Sequence, residues 1–156
     1  PIPQSLKPIP DRHLLRTFND SWDIPLKSYD LISPERASKN IGEFCVLLPG
    51  QEDIVLTREV IILRANSELF DNFYLMWALS LKKVREQWRR IIFMQTNRED
   101  VGKRFHEICI PLPKTAEASE KYGTAFKAYF NALQKGRLNL KSELNKLGSE
   151  HYIFFV

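Results

Sequence analysis

The sequence predicts an α+β domain: a small mixed β-sheet with a basic amphipathic helix pair and a C-terminal packing helix. Three observations carry this. Short β-rich pieces bounded by turn residues occupy the stretch up to Leu63, the apolar period switches to three and four residues from Asn66, and Pro111-Leu112-Pro113 separates that helical stretch from another. With 156 residues, 44% of them apolar, and 10 Phe, 5 Tyr and 3 Trp, the chain suffices for one core and about one domain.

The start, 1–12, has the composition of a linker. Four of its first ten residues are proline (Pro1, Pro3, Pro8, Pro10), without the basic and apolar regions of a signal peptide, so it reads as a cut or a domain boundary within something longer. Residues 11–42 read as irregular, with extended pieces near Leu14–Phe18 and Tyr29–Ile32. Glu43–Leu48 reads as a strand ended by the turn pair Pro49-Gly50, and Ile54–Leu56 and Val60–Leu63 supply two more β-rich pieces.

Phe70, Phe73, Tyr74, Trp77, Leu81, Val84, Trp88 and Ile91 then form one helical stripe, capped by Asn66 or Ser67, with a break near Ser80 that gives two helices. Lys82, Arg85, Glu86 and Arg89 fall opposite the stripe, and Lys83 and Arg90 flank it. Phe105–Ile110 reads as a strand, after which the two prolines forbid a continuous helix. Thr115 caps a last helix whose stripe is Tyr122, Phe126, Tyr129, Phe130 and Leu133, with Gly136 as its stop. Beyond it lie a weakly periodic stretch (Leu140, Leu144, Leu147) and an edge strand at His151–Val156. The expected organisation is a linker over 1–12, a recognition domain over 13–113 and a C-terminal helix and tail over 114–156.

The net charge is only +4, yet it is concentrated. From Lys82 to Arg104 eight basic residues face three acids, a balance of +5, so the other 133 residues sum to −1. Such a block is the electrostatic footprint of a phosphate-binding surface, whereas a merely solvated surface intersperses the signs. Gln95-Thr96-Asn97-Arg98 follows the basic helix, and Arg36, Lys39 and Asn40 form a second polar cluster ahead of Gly42. These are the residue types that read bases: arginine pairs with guanine through two bonds, and asparagine and glutamine do so with adenine.

Other chemistries find little support. The longest apolar runs are strand-sized, which excludes a membrane span. Cys45 and Cys109, 64 positions apart, read as buried thiols inside apolar strands in a reducing cytoplasm. The histidines at 13, 106 and 151 lack ligand spacing, so no metal or cofactor is expected, and neither cysteine has an activating histidine beside it. Asp53 and Glu59 read as a carboxylate pair across two strands, the minimum for a small Mg-dependent nuclease, but no lysine follows them.

The order of segments resembles a known family. Asn72-Phe73-Tyr74-Leu75-Met76-Trp77-Ala78-Leu79, the basic segment, Gln95–Asp100 and above all Ile108-Cys109-Ile110-Pro111-Leu112-Pro113 before a helix look like the distal half of a target recognition domain. Such domains occur in the specificity subunits of type I restriction-modification systems and in related fused adenine DNA methyltransferases. Upstream, Ile41-Gly42-Glu43-Phe44-Cys45-Val46 and Ile54–Leu63 sit where that family has a glycine-marked strand and a strand pair, so the resemblance covers roughly 30 to 135. It implies a non-enzymatic module that reads one half of a double-stranded DNA target, with the helix Thr115–Leu133 docking a methyltransferase or restriction subunit. Phosphate contacts are then expected from Lys39, Lys82, Lys83, Arg85, Arg89, Arg90, Lys103 and Arg104, and base-edge contacts from Arg36, Asn40, Gln95, Asn97 and Arg98. A second reading, a protein-interaction or scaffolding domain, takes the aromatic face of the last helix as the active surface.

Overall fold

The computed structural model describes residues 7–8, 25–36, 38–54, 56, 59–95 and 98–148. Four strands, β1 (Lys7–Pro8), β2 (Leu31–Pro34), β3 (Cys45–Val46) and β4 (Val60–Leu63), form one sheet in the order β1-β3-β2-β4. β1 runs parallel to β3 and the other neighbours are antiparallel, so the sheet is mixed and the fold is α+β as expected. Its register sets Leu31 opposite both Val46 and Leu63, and Ile32 opposite Cys45 and Ile62. Apolar cross-strand pairs of this kind are what hold so small a sheet together.

Two consecutive helices follow, α1 (Asn72–Ser80) and α2 (Lys82–Ile91). The break expected near Ser80 falls at Leu81, whose extended backbone (φ −65°, ψ 136°) ends α1 and starts α2. The cap of α1 is Asp71, not Asn66 or Ser67: its carboxylate accepts the Tyr74 N–H at 3.0 Å, while the Ser67 hydroxyl is turned to the Leu69 N–H. The helix starts where a side chain satisfies one of its orphan amides, and only Asp71 does so.

A short hairpin, β5 (Phe93–Gln95) and β6 (Arg98–Asp100), leads into a 3-10 helix at Gly102–Glu107 and then to the long α3 (Ala116–Lys146). Thr115 caps α3 as expected, its hydroxyl accepting the Ala118 N–H. One core unites the layers: Leu31, Val46 and Ile61 of the sheet, Leu75, Met76 and Leu79 of α1, Val84, Trp88 and Ile91 of α2, and Phe130 of α3. α3 crosses α1 at backbone contact. A Cβ on Gly123 would stand 3.1 Å from the Tyr74 nitrogen, so a larger residue there would push the two backbones apart by a few tenths of an ångström. Beside it, Tyr122 stacks on Trp77 with centroids 4.2 Å apart.

Several elements differ from the sequence expectation. Of Glu43–Leu48 only Cys45–Val46 pairs as strand: the Leu47 N–H still meets the Asp30 carbonyl, but the Leu47 carbonyl accepts from Tyr29 while the Asp30 N–H turns to the Lys27 carbonyl, which breaks the ladder; Phe44, Leu47 and Leu48 are buried all the same. Ile54 and Leu56 are not in a strand. Phe105–Ile110 is no strand either: it begins as the 3-10 helix, and its apolar residues Phe105, Ile108 and Ile110 pack against the core rather than join a sheet. Cys109 is therefore exposed in an irregular segment, while Cys45 sits in β3, where burial and the nearby Glu43 charge push its thiol up from its ordinary value. Asp53 and Glu59 lie outside strands, in a bend and a turn, and no cluster of three potential metal ligands exists among the described residues.

The helix does not stop at Gly136. That glycine keeps helical geometry with open space around it, and the chain runs on to Lys146, ending at Gly148 with φ 93° and its N–H on the Asn145 carbonyl. The expected extended piece at Leu14–Phe18 and the edge strand at His151–Val156 lie outside the described residues. No helix among the described residues is long and apolar enough to cross a membrane.

Candidate nucleic-acid interface

Val84, Trp88 and Ile91 recur at helical spacing and bury one side of α2, which leaves its charged residues on the remainder. Two side chains fix how the helix sits. On one flank Arg85 reaches Glu43 of the loop after β2, with Nη2 2.7 Å from the carboxylate. Gln87 lies about 200° further round. Its amide clamps the Cys109 backbone twice, accepting the N–H and donating to the carbonyl, both at 2.8 Å. Between these anchors runs a solvent-facing crest with Lys82, Lys83, Glu86, Arg89 and Arg90. Lys82 is 90% exposed and only loosely paired with Glu86 at 3.9 Å, a surface pair worth little.

Further cations lie near the crest, interspersed with acids: the stretch over 35–43 carries Arg36 and Lys39 against Glu35 and Glu43. The loop over 35–43 packs beneath α2, because Gly42, in the left-handed region at φ 80°, lies against the Trp88 ring, where a Cβ would come within 2.9 Å. Exposed Lys39 and Asn40 stand on that loop; the Asn40 carbonyl accepts the Glu43 N–H, and its own N–H bonds the Ser38 hydroxyl. Arg36 is exposed at its start, 3.5 Å from Glu35. The Glu35 carbonyl accepts the Val101 N–H at 3.3 Å, which joins this loop to the foot of the 3-10 helix. Lys103 and Arg104 are exposed on that helix, Arg104 in an exposed ion pair with Glu107 at 3.2 Å.

The hairpin links α2 to the 3-10 helix along the chain, and in its register Gln95 and Arg98 are opposite one another. Asn97 lies outside the described residues. All the other anticipated residues thus fall on four adjoining elements: the 35–43 loop, α2, the hairpin and the 3-10 helix. Arg85 is the exception in role, since Glu43 neutralises it and its work is to seat α2.

The helix dipole divides the crest. Arg89 and Arg90 occupy the last turn, where cations are favoured, but Lys82 and Lys83 occupy the first turn, which holds no acid, and Leu81 supplies no side-chain cap. Two lysines at a positive helix end are unfavourable until an anion arrives. Sequence reasoning missed Glu43 and Gln87, for their roles depend on distant partners. It also missed the pair that braces the sheet beneath: fully buried Asp30 accepts from Arg64 at 2.7 and 2.6 Å, and that hydrogen bonding raises the guanidinium further above its ordinary value.

A second surface lies on α3. Ser119, Gly123, Phe126, Phe130 and Leu133, spaced alternately by four and three, form the seam that packs on the body. The same spacing continues through Arg137 to Leu140, Leu144 and Leu147, where the helix leaves the body: Leu140 is 52% and Leu147 70% exposed.

Fold and site together define a small α+β domain with exposed cations on α2 and a long C-terminal helix whose last leucines are exposed. No family model matches the chain, and no curated protein matches it significantly.

Proposed function

We propose that the protein is a sequence-specific double-stranded DNA recognition module without catalysis of its own, which directs an adenine methyltransferase or restriction assembly to its site. The observation that carries this reading is the exposed cations of α2 (Lys82, Lys83, Arg89 and Arg90), of which only Lys82 has a loose acidic partner on the helix. Lys82, Lys83, Arg89, Arg90, Lys39, Lys103 and Arg104 act on phosphates and fix position, while Arg36, Asn40, Gln95, Asn97 and Arg98 face base edges, each bidentate pair contributing about 1–3 kcal/mol of discrimination. The exposed leucine seam of α3 is the surface that takes the partner subunit, in line with the family resemblance.

Fluorescence anisotropy against random duplex DNA tests it. At low salt the chain binds with a Kd of roughly 10⁻⁴–10⁻⁶ M or tighter, and affinity falls with a log–log salt slope of about −0.9 for each neutralised phosphate. Replacing both Arg89 and Arg90 with alanine weakens binding to all duplexes alike and flattens the slope by about 2. Absence of binding at low salt defeats the proposal and leaves the α3 seam, and with it a protein-interaction domain, as the better reading.

A further inference from the structure

Where α3 crosses α1 at Gly123, a cleft of about 320 Å³ opens between the early turns of α3 and the segment over 67–73 that leads into α1. Sites for small ligands occupy about 300–1,000 Å³, so this one suits a single small group.

Charge restricts what it takes. Glu68, Asp71 and Glu120 line the cleft against one cation, Lys127, although the whole chain carries +4. Asp71 accepts the Tyr74 N–H, but none of the three carboxylates is in an ion pair with another described residue. The starts of α1 and α3 each bring roughly half a positive charge, which leaves the cleft at about −1. Its carboxylates do not converge on one point, since no group of three potential metal ligands exists among the described residues. The charge therefore suits an extended organic cation rather than a metal ion.

A second, independent feature points the same way. Ser119 lines the cleft at only 6% exposure, and its hydroxyl has no hydrogen-bond partner among the described residues. The unpartnered polar atoms that are wholly sealed are Trp88 Nε1 and Gln134 Oε1; the Ser119 oxygen is not among them and keeps access to the cleft. A buried hydroxyl ordinarily finds a partner, and its oxygen is able to accept from an ammonium. Phe70 and Phe73 supply the apolar wall on which the rest of an amine can rest.

We infer that this cleft binds a primary ammonium on a short apolar body. The ammonium lies among Glu68, Asp71 and Glu120 and donates to the Ser119 hydroxyl, while the body packs on Phe70 and Phe73. It belongs either to a free arylalkylamine or to a lysine side chain of another protein, and neither source depends on duplex binding.

Titration of the full, isotope-labelled chain with phenethylamine, followed by NMR, tests the site. Saturable amide shifts at Ser119, Gly123 and their neighbours are expected, with phenylethanol, which keeps the ring and lacks the charge, at least about tenfold weaker. Ser119→Ala weakens phenethylamine about tenfold, as loss of a hydrogen bond to a charged group does. Glu120→Gln, at an exposed position, weakens it about threefold. Absence of saturable shifts overturns the site, as does equal binding of the alcohol, or a Ser119→Ala chain that binds phenethylamine like the parent. Nα-acetyl-lysine methylamide then separates the sources: binding tighter than that of phenethylamine assigns a partner's lysine, and weaker binding assigns the free amine. A chain that binds phenethylamine but not duplex DNA keeps this inference while the proposed function fails.

Discussion

α1 and α2 are consecutive, joined through Leu81, and nearly equal in length at 9 and 10 residues, yet they do opposite work. α1 is apolar around most of its circumference and buries Tyr74, Leu75, Met76, Ala78 and Leu79, since it packs on α3 and shares the core with the sheet. α2 buries only Val84, Trp88 and Ile91 and keeps four cations in water. A helix selected for stability alone would carry acids in its first turn, where each contributes about 0.3–1 kcal/mol; α2 carries Lys82 and Lys83. The contrast teaches which helix holds the fold and which one the fold holds out.

The largest expected effect tests the first half of that statement. Met76→Ala, at a fully buried position, should lower unfolding stability by about 2–5 kcal/mol in urea titration. The Arg89→Ala, Arg90→Ala pair should stay within about 0.5 kcal/mol per site. Equal losses at both places would erase the contrast.

A smaller effect of opposite sign sharpens it. Exchanging Lys82 and Lys83 for glutamate should raise stability by up to about 1 kcal/mol per site while abolishing duplex binding. A stabilised variant that still bound DNA would remove these lysines from the interface.

The same division recurs within α3, whose first half is packed and whose second half projects. Gly136 lies in the projecting half with nothing near a Cβ, so Gly136→Ala should stabilise the helix by about 0.5–1 kcal/mol, read as a rise in Tm, and leave binding to DNA unchanged.

The smallest effect concerns the loop below. Burial pushes the Glu52 carboxyl up, but hydrogen bonds from the Ser28 hydroxyl, its own amide and the Gly50 amide outweigh this and hold it below its ordinary value. A carboxyl lowered in the folded state stabilises above its ordinary value and loses that contribution as pH falls through the lowered one. Glu52→Gln should therefore flatten the acid side of the stability profile slightly and leave the profile above pH 7 parallel to the parent's.

Local signals reached far in some stretches and failed in others. The stripe from Phe70 to Ile91 announced the helices, and Thr115 announced the cap of α3, because periodicity and capping are properties of neighbouring residues. Phe105–Ile110 has the apolar content of a strand, but its apolar residues pack on the core from a 3-10 helix and an irregular segment, and apolar content alone does not distinguish the two. Gly136 and Gly148 offer the same stop signal. Only the second adopts a positive φ, because the leucine spacing carries the helix through the first. At the candidate site the cations were legible as a charge block, whereas the flanking anchors Glu43 and Gln87 were not, since each acts on a residue 22 or more positions away.

The sequence by itself determined the α+β class, the break between α1 and α2, and the concentration of charge from Lys82 to Arg104, all of which follow from order along the chain. Tertiary structure alone decided that Arg85 seats the helix instead of joining its crest, that Gly123 brings α3 against α1, and that the 35–43 loop meets the 3-10 helix. These are pairings between distant residues, and their energies depend on a distance that does not exist until the chain has folded.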